Sequence, residues 1–152
     1  MLLSLLPAGL LLAGVLLSGG AHATQAEHVR ASHAWIRLLP GALPAGGYVT
    51  LLNDSAQPAS LVGASSLAYS EVMLHQSTGQ MAGMSRMMTV DHLEMPAHGQ
   101  VALAPAGYHL MLEKATHPLQ VGDTIKVTLH FADGSALDTD FLARPANTVD
   151  AD

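Results

Sequence analysis

The chain has 152 residues, of which 12% are charged, and its formal net charge is −6. This length suggests one domain of ordinary size, which can bury a core without disulfides or a structural metal. The six lysines and arginines are scattered, which excludes a nucleic-acid-binding surface. Cysteine is absent, which excludes disulfides, thiolate nucleophiles and cysteine-ligated metals together.

The first 23 residues have the pattern of a secretory signal peptide. They are apolar, carry no charged side chain and end in Ala-His-Ala, an A-x-A cleavage site. The alternative is an uncleaved anchor, because Lys and Arg are missing from the n-region and the apolar run to Leu17 approaches spanning length. Small residues before Thr24 favour cleavage, and no cysteine follows that would carry a lipid. We therefore expect an exported single domain of residues 24–152, with no membrane span.

Short strand-like runs, bounded by turn residues, follow along the rest of the chain. In chain order they are HVRASHAWIRLL, YVTLLN, ASLVGASS, SEVMLHQ, SRMMTVDHLEM, QVALAP, YHLMLEK, TIKVTLHF and ALDTDF, with GALPAGG as a loop after the first. The Asp133-Gly134 step between the last two is a strong hairpin signal. No window has a clean helical stripe, so the pattern predicts an antiparallel sandwich or barrel. The tail from Pro145 to Asp152 is predicted to fray.

Methionine and histidine are concentrated in one part of the chain. Seven of the eight methionines lie between Met73 and Met111, and four of the nine histidines lie in the same window: His75, His92, His98 and His109. Taken singly, each has an ordinary explanation, since methionine fills cores and a histidine on a strand is commonly a surface residue.

Strand geometry makes two of these segments unusual, because successive side chains point to opposite faces. In YHLMLEK the two leucines suffice for the core, so His109 and Met111 point together to the other side, roughly 7 Å apart along the strand. SEVMLHQ repeats the arrangement, with Met73 and His75 opposite a valine and a leucine. Each segment therefore offers an imidazole and a thioether on the face away from the core.

The donor types indicate which metal ion would bind. Thioether sulfur is soft and selects Cu(I) over hard ions such as magnesium or calcium. Zinc sites use cysteine, histidine and carboxylates rather than methionine. A neutral histidine and methionine set adds no negative charge to stabilise Cu(II), so the set favours the monovalent ion.

The spacing of these residues resembles the copper-binding motif of the PCuAC family of periplasmic copper chaperones. That motif is a histidine, a variable residue that is often methionine, ten residues, a methionine, twenty-one residues and then His-x-Met. The chain has His75, Gln76, ten residues, Met87, twenty-one residues, and His109-Leu110-Met111. All four ligand positions match the motif. The chain differs from the common form of the motif only at the variable position, where it has Gln76.

Flanking segments are similar to family signatures in the same order: AWIR, SEVMLHQ, APAGYHLML and VGDTIKVTLHF. The resemblance covers Val29 to Phe141. The family often has glycine where Ala106 stands and an acidic residue where His33 stands, and neither change touches a ligand.

The resemblance implies an all-β, cupredoxin-like antiparallel Greek-key β-sandwich that binds Cu(I) near its surface through His75, Met87, His109 and Met111. It implies delivery towards the binuclear CuA centre of cytochrome c oxidase subunit II, with Sco-type thioredoxin-like proteins as collaborators. Some relatives carry a C-terminal extension rich in histidine and methionine. The ending ARPANTVDAD lacks one, so no second site is expected there.

Neighbouring residues receive simpler interpretations. Alternation points Met88 away from Met87, which predicts a core position. Met81 and Met84 are placed on the loop before the strand, where an entry role is one interpretation. Trp35 is predicted to anchor the core. Five histidines are interpreted as surface residues: His33, His92, His98, His117 and His130.

Four other functions compete with the chaperone. A blue-copper electron-transfer protein needs a cysteine thiolate, so the sequence excludes it. A copper enzyme is disfavoured, because four protein ligands leave no open position for a substrate. A periplasmic copper storage or resistance protein would use the same ligands and stays open. A structural β-domain with core methionines is the remaining alternative.

Overall fold

The computed structural model describes residues 20–81 and 84–151. Most of the predicted signal segment therefore lies outside the described residues. The Ala-His-Ala tripeptide before Thr24 is described, and it is exposed chain without regular structure. Within the described residues, no helix is long and apolar enough to cross a membrane.

The regular structure of the described chain is mostly strand, as the alternating sequence pattern predicts, together with one short helix that the pattern does not predict. The elements are α1 (Gln25–His28), β1 (Val29–Arg37), β2 (Ala45–Asn53), β3 (Ala59–Ser65), β4 (Tyr69–Met81), β5 (Met84–Thr89), β6 (Leu93–Met95), β7 (Gln100–Leu103), β8 (Tyr108–Ala115), β9 (Thr124–Phe131) and β10 (Ala136–Arg144). The loop predicted over GALPAGG is shorter than expected, because its last three residues already belong to β2. Met81 and Met84 lie in the ends of β4 and β5 rather than in a loop.

The strands are hydrogen-bonded in the order β5-β4-β8-β2-β1-β10-β9-β3-β6, and β7 pairs with β2 beyond the end of β8. The neighbours are antiparallel, apart from β1 and β10, which run parallel with Trp35 opposite Leu142. The predicted hairpin after β9 is present, with His130 opposite Ala136. The fold is thus all-β, as predicted, with one parallel pair added to the antiparallel plan.

One apolar cluster forms the core, and nine of the ten strands contribute buried side chains to it. The leucines of β8 that the sequence assigned to the core, Leu110 and Leu112, are fully buried, and Leu74 of β4 joins them. Burial of these side chains fixes which face of β4 and β8 is turned outward. The neighbours of these leucines at odd-numbered positions, residues 73, 75 and 77 of β4 and residues 109 and 111 of β8, therefore share the outer face.

Strand β5 lies at the end of the sheet, beyond this core. Its described side chains, from Arg86 to Thr89, are all exposed, and Met88 is 56% exposed. The prediction that Met88 belongs to the core is therefore wrong. Alternation does turn Met88 away from Met87, but at this edge of the sheet neither face is covered by another layer.

The C-terminal tail is irregular, yet it is attached to the body of the protein. The Arg37 guanidinium donates hydrogen bonds from Nε and Nη2 to the carbonyl of Thr148, at 3.1 and 2.6 Å. The predicted fraying from Pro145 onward stays a prediction, and this contact ties one point of the tail to β1. Trp35 is buried as predicted, and its ring lies 4.6 Å from that of Tyr48.

The remaining histidines mostly lie where the sequence placed them. His130 is half-buried, and its Nε2 lies 2.8 Å from the Ser65 hydroxyl. The other four are exposed on the surface: His33, His92, His98 and His117.

Candidate metal centre

Strand pairing brings the predicted ligands to one outer face of the sheet. His75 of β4 stands directly opposite His109 of β8, and two residues further along Met73 stands opposite Met111. On the other side of β4, Met87 of β5 stands opposite Ser77. Directly paired residues point to the same side of a sheet, so Met87 shares the face of the two histidines.

The two imidazoles are in contact. Their ring centroids are 5.8 Å apart and the rings are nearly perpendicular. His109 is 3% exposed, and its Nδ1 lies 3.1 Å from the carbonyl oxygen of Gly107. A carbonyl accepts only, so Nδ1 carries the proton and Nε2 keeps its lone pair. That lone pair is available to a metal ion.

Two ring nitrogens at this contact are buried without a hydrogen-bond partner, His75 Nδ1 and His109 Nε2. A buried polar atom that is left unpaired costs about 1–3 kcal/mol, so such atoms are uncommon in folded proteins. A metal ion between the strands would supply the missing partner to both. The residues present therefore fit a bound ion.

Burial also keeps His75 in the form that binds metal. Desolvation lowers the pKa of His75 below its usual 6.5, and the neighbouring His109 lowers it further, while Glu113 opposes both. A lowered histidine pKa favours the neutral ring at neutral pH. The neutral ring is the one that ligates metals.

A cleft of about 330 Å³ opens beside the histidine pair. Three of the four predicted ligands line it, namely Met87, His109 and Met111, together with Ser77 and Arg37. His75 does not line the cleft and reaches it through its contact with His109. A larger cavity of about 590 Å³ lies elsewhere and is lined by no methionine, so it does not compete for a soft metal.

Exposure of the predicted ligands is uneven. His109 is almost completely buried, His75 and Met111 are half-buried, and Met87 is 59% exposed. The imidazole of His109 is therefore the innermost of the predicted ligands, and the thioether of Met87 is the outermost. Met87 is the most exposed of the four predicted ligands, so solvent and other molecules reach it first.

Strand β2 supplies a wall of the cleft that the sequence pattern did not reveal. Gly46 stands opposite Met111, and a Cβ on Gly46 would lie 2.5 Å from the Tyr48 hydroxyl oxygen. The missing side chain thus leaves room for the Tyr48 ring, whose centroid lies 6.4 Å from that of His109. Burial raises the pKa of Tyr48, with a smaller opposing effect from Arg37, so the phenol stays neutral. The two adjacent glycines in GALPAGGY are the sequence feature that could have indicated this close packing of β2 against the cleft.

The turn before β8 positions His109. Gly107 donates from its N–H to the carbonyl of Ala104, and the Gly107 carbonyl accepts from the N–H of Ser77 as well as from His109. Ala106, at the tip, has a φ of +67°, in the left-handed region that favours glycine. This is the position where the family often has glycine.

The described residues contain no group of three or more His, Asp or Glu side chains arranged to hold a metal ion. Hard ions therefore lack an oxygen-rich site in this part of the chain. Neutral imidazole and thioether donors suit a soft monovalent ion. Fold and site together define a class, a β-sandwich domain that presents nitrogen and thioether donors to a soft metal.

Comparison with known proteins specifies the family. The model of the LpqE-like lipoprotein family matches residues 29–142. The chain belongs to this family, which is the PCuAC family, as the spacing of its motif predicted. The cupredoxin-like fold prediction is confirmed as well.

Solved structures show the same fold. The Cu(I) form of DR1885 from Deinococcus radiodurans is 33% identical, with a TM-score of 0.60, and the match covers 83% of each chain. The apo form is 31% identical, with a TM-score of 0.60, covering 95% of this chain and 97% of that one. The copper-bound PCuAC domain from PmoF2 is 24% identical, with a TM-score of 0.65 over 82% of this chain and 98% of that one, and supports the fold alone.

A curated relative, Lxx21020 of Leifsonia xyli subsp. xyli, carries the name of a lipoprotein. It is 33% identical over 111 residues, which are 73% of this chain and 66% of the relative. The chain thus spans slightly less than two thirds of that protein. Residues 1–152 contain no cysteine, so they offer no thiol for lipid attachment.

Proposed function

We propose that this protein is an exported Cu(I) metallochaperone whose ligands are His75, Met87, His109 and Met111. The observation that carries the proposal is the pair of buried, unpartnered ring nitrogens, His75 Nδ1 and His109 Nε2, beside the thioethers of the same face. One related solved structure supports the choice of ion, since DR1885 of Deinococcus radiodurans, 33% identical to this chain, was solved in a Cu(I) form. Copper is the cargo in this function.

Transfer by ligand exchange follows from the exposure of the ligands. An acceptor's donor atom must reach the ion from the side where a chaperone ligand can leave it. Met87 is 59% exposed on an edge strand, whereas His109 is buried and held by Gly107. Release therefore begins at Met87 and ends at His109. All four ligands are neutral, so exchange separates no opposite charges.

The proposed acceptor is the CuA centre of cytochrome c oxidase subunit II, with Sco-type thioredoxin-like proteins as partners. A periplasmic store or resistance protein that uses the same ligands is the competing function. We assign no enzymatic reaction to the chain, because four protein ligands leave no position on the ion for a substrate.

We also propose that the chain acts in the periplasm, after cleavage behind Ala23. The exposed, irregular segment around this position is accessible to a peptidase. Mass spectrometry of protein recovered from a periplasmic fraction tests this, and a chain that keeps its first 23 residues would mean an anchored protein.

Two measurements test the function. Anaerobic Cu(I) loading of the mature chain, followed by X-ray absorption, is expected to show one copper with two nitrogen and two sulfur neighbours. The loaded chain is then mixed with copper-free oxidase subunit II, and its copper content is followed. A transfer that exceeds the transfer from free Cu(I) at equal concentration supports delivery. A loaded chain that donates no copper supports storage instead.

A further inference from the structure

Four side chains form a rectangular block on the outer face of β4 and β8. His75 faces His109, and in the next row of the same face Met73 faces Met111. Directly opposed residues have Cβ atoms about 4.5–5.5 Å apart. The copper-binding motif uses three corners of this block, and Met73 is the fourth corner.

Met73 is placed relative to His75 as Met111 is placed relative to His109. Each methionine is two residues from its histidine along the strand, on the same face, at a spacing of roughly 7 Å. A spacing that allows Met111 and His109 to share one ion therefore allows it for Met73 and His75. The long, flexible thioether side chain adapts to such a site.

Met87 approaches the histidine pair from the opposite direction. Along β4, the same-face positions run Ser77, His75, Met73, and Met87 stands opposite Ser77. The histidine pair thus lies between the row of Met87 and the row of Met73. Met87 is on the exposed edge strand, while Met73 is half-buried and lines a separate depression between β3 and β4.

We propose that Met73 is a fifth copper ligand, which replaces Met87 when Met87 leaves the ion. The Cu–S bond to Met87 breaks as the Cu–S bond to Met73 forms. Both donors are neutral thioethers, so no proton moves and the copper stays monovalent. Copper is then held by His75, His109, Met111 and Met73, all on the inner side of the site. An acceptor approaches from the side that Met87 has left, and its donor atom displaces one of these four ligands in turn. This inference rests on the proposed function.

The test uses the mature chain loaded anaerobically with Cu(I). X-ray absorption counts sulfur neighbours, and competition with a chromophoric Cu(I) chelator gives the affinity. The variants are Met87→Leu, Met73→Leu and the double variant. The matched control is Met87→Leu with Met88→Leu, since Met88 is as exposed as Met87 but points to the other face. Circular dichroism checks the fold of each.

The Met87→Leu variant is expected to keep two sulfur neighbours and to bind less than about tenfold more weakly than the wild type. The double variant is expected to show one sulfur and to lose roughly tenfold or more beyond Met87→Leu. Met73→Leu alone should keep two sulfurs, and the Met88 control should match Met87→Leu. One sulfur in Met87→Leu would overturn the inference, as would equal affinities of Met87→Leu and the double variant. Three sulfur neighbours in the wild type would contradict the proposal that Met73 replaces Met87, because both thioethers would then bind at once.

These outcomes are separable from failure of the proposed function. A wild-type chain that binds no Cu(I), or whose Cu(I) affinity is unchanged by Met111→Leu, contradicts the assigned centre itself. A wild-type chain with two nitrogens and two sulfurs, combined with one sulfur in Met87→Leu, keeps the centre and removes only the role of Met73.

Discussion

The imidazole of His75 meets the imidazole of His109 edge-on across the β4–β8 pair, with 5.8 Å between the ring centroids. Each ring has one buried nitrogen with no hydrogen-bond partner. The contact joins two residues that are 34 positions apart in the chain, because antiparallel pairing sets them in the same row. This relationship determines how the centre responds to substitution and to pH.

Replacement of Met111 by leucine should separate ligation from packing. Met and Leu differ little in volume, so the free energy of unfolding should fall by less than about 1.5 kcal/mol. Cu(I) affinity should fall by roughly tenfold or more, because a thioether donor is lost. Chelator competition and chemical denaturation measure the two quantities. Met95→Leu, in the core on β6, is the control and should leave affinity unchanged. Equal affinities of the two variants would contradict ligation by Met111.

Copper affinity should weaken as the pH falls. Protons compete with the ion for both histidines, whose ordinary pKa is about 6.5, while the thioethers have no proton to exchange. The pKa of His75 is lowered by burial and by His109, so its share of the loss should begin at lower pH than that of a free histidine. Cu(I) titrations from pH 7.5 to about 5 measure this. A flat profile would argue against two histidine ligands.

The same pKa shift predicts a pH dependence of the apo protein. Because the folded state lowers the pKa of His75, the unfolded state binds a proton there first. The contribution of neutral His75 to stability is complete above about pH 6.5 and is lost as the pH falls through the lowered pKa. Urea unfolding of the wild type and of His75→Gln at several pH values measures it. The variant should lose less stability than the wild type between neutral and mildly acidic pH. If the unfolding free energies of the two proteins change in parallel with pH, the lowered pKa of His75 is contradicted.

Replacement of Ala106 by glycine should stabilise the fold. Ala106 has a φ of +67°, which a residue with a Cβ adopts at a cost. Removing that Cβ should raise the free energy of unfolding by about 1 kcal/mol. The gain is reduced because glycine increases the conformational entropy of the unfolded chain. Ala104→Gly at the other end of the turn is the control and should destabilise by about 0.5 kcal/mol. A loss of stability in Ala106→Gly would mean that the turn gains nothing from glycine.

Replacement of Gly46 by alanine should disturb the cleft wall. The new Cβ would lie 2.5 Å from the Tyr48 hydroxyl oxygen, so the Tyr48 ring must move. We expect a loss of about 1–3 kcal/mol in unfolding free energy, as for other overpacked sites. In a Tyr48→Ala background the same substitution should cost much less, because the clash is gone. A cost that stays equal in both backgrounds would show that Tyr48 is not the obstacle.

The face on which the proposed ligands lie was largely predictable from local pattern. Leu110 and Leu74 identify the buried face of their strands, and alternation then assigns His109 and His75 to the other face. The direct contact between the two rings follows once β4 and β8 pair in register. Pairing partners, however, depend on the whole fold rather than on either segment.

The errors have the same origin. Alternation assigns Met88 to a face, but only the position of β5 at the end of the sheet determines that this face is uncovered. The contact between Arg37 and the tail is not predictable from either segment, because the two lie more than a hundred residues apart. Tyr48 was not predicted as a neighbour of His109, because its position depends on the missing side chain of Gly46.

The lack of described core residues on β5 has a consequence for dynamics. Detaching this strand from β4 would break a few backbone hydrogen bonds and expose little new apolar surface, so local opening should cost far less than global unfolding. Amide protons of β5 should therefore exchange with deuterium well before those of β8. Met87, the outermost of the proposed ligands, thus sits on a strand that can separate while the hydrophobic core stays intact.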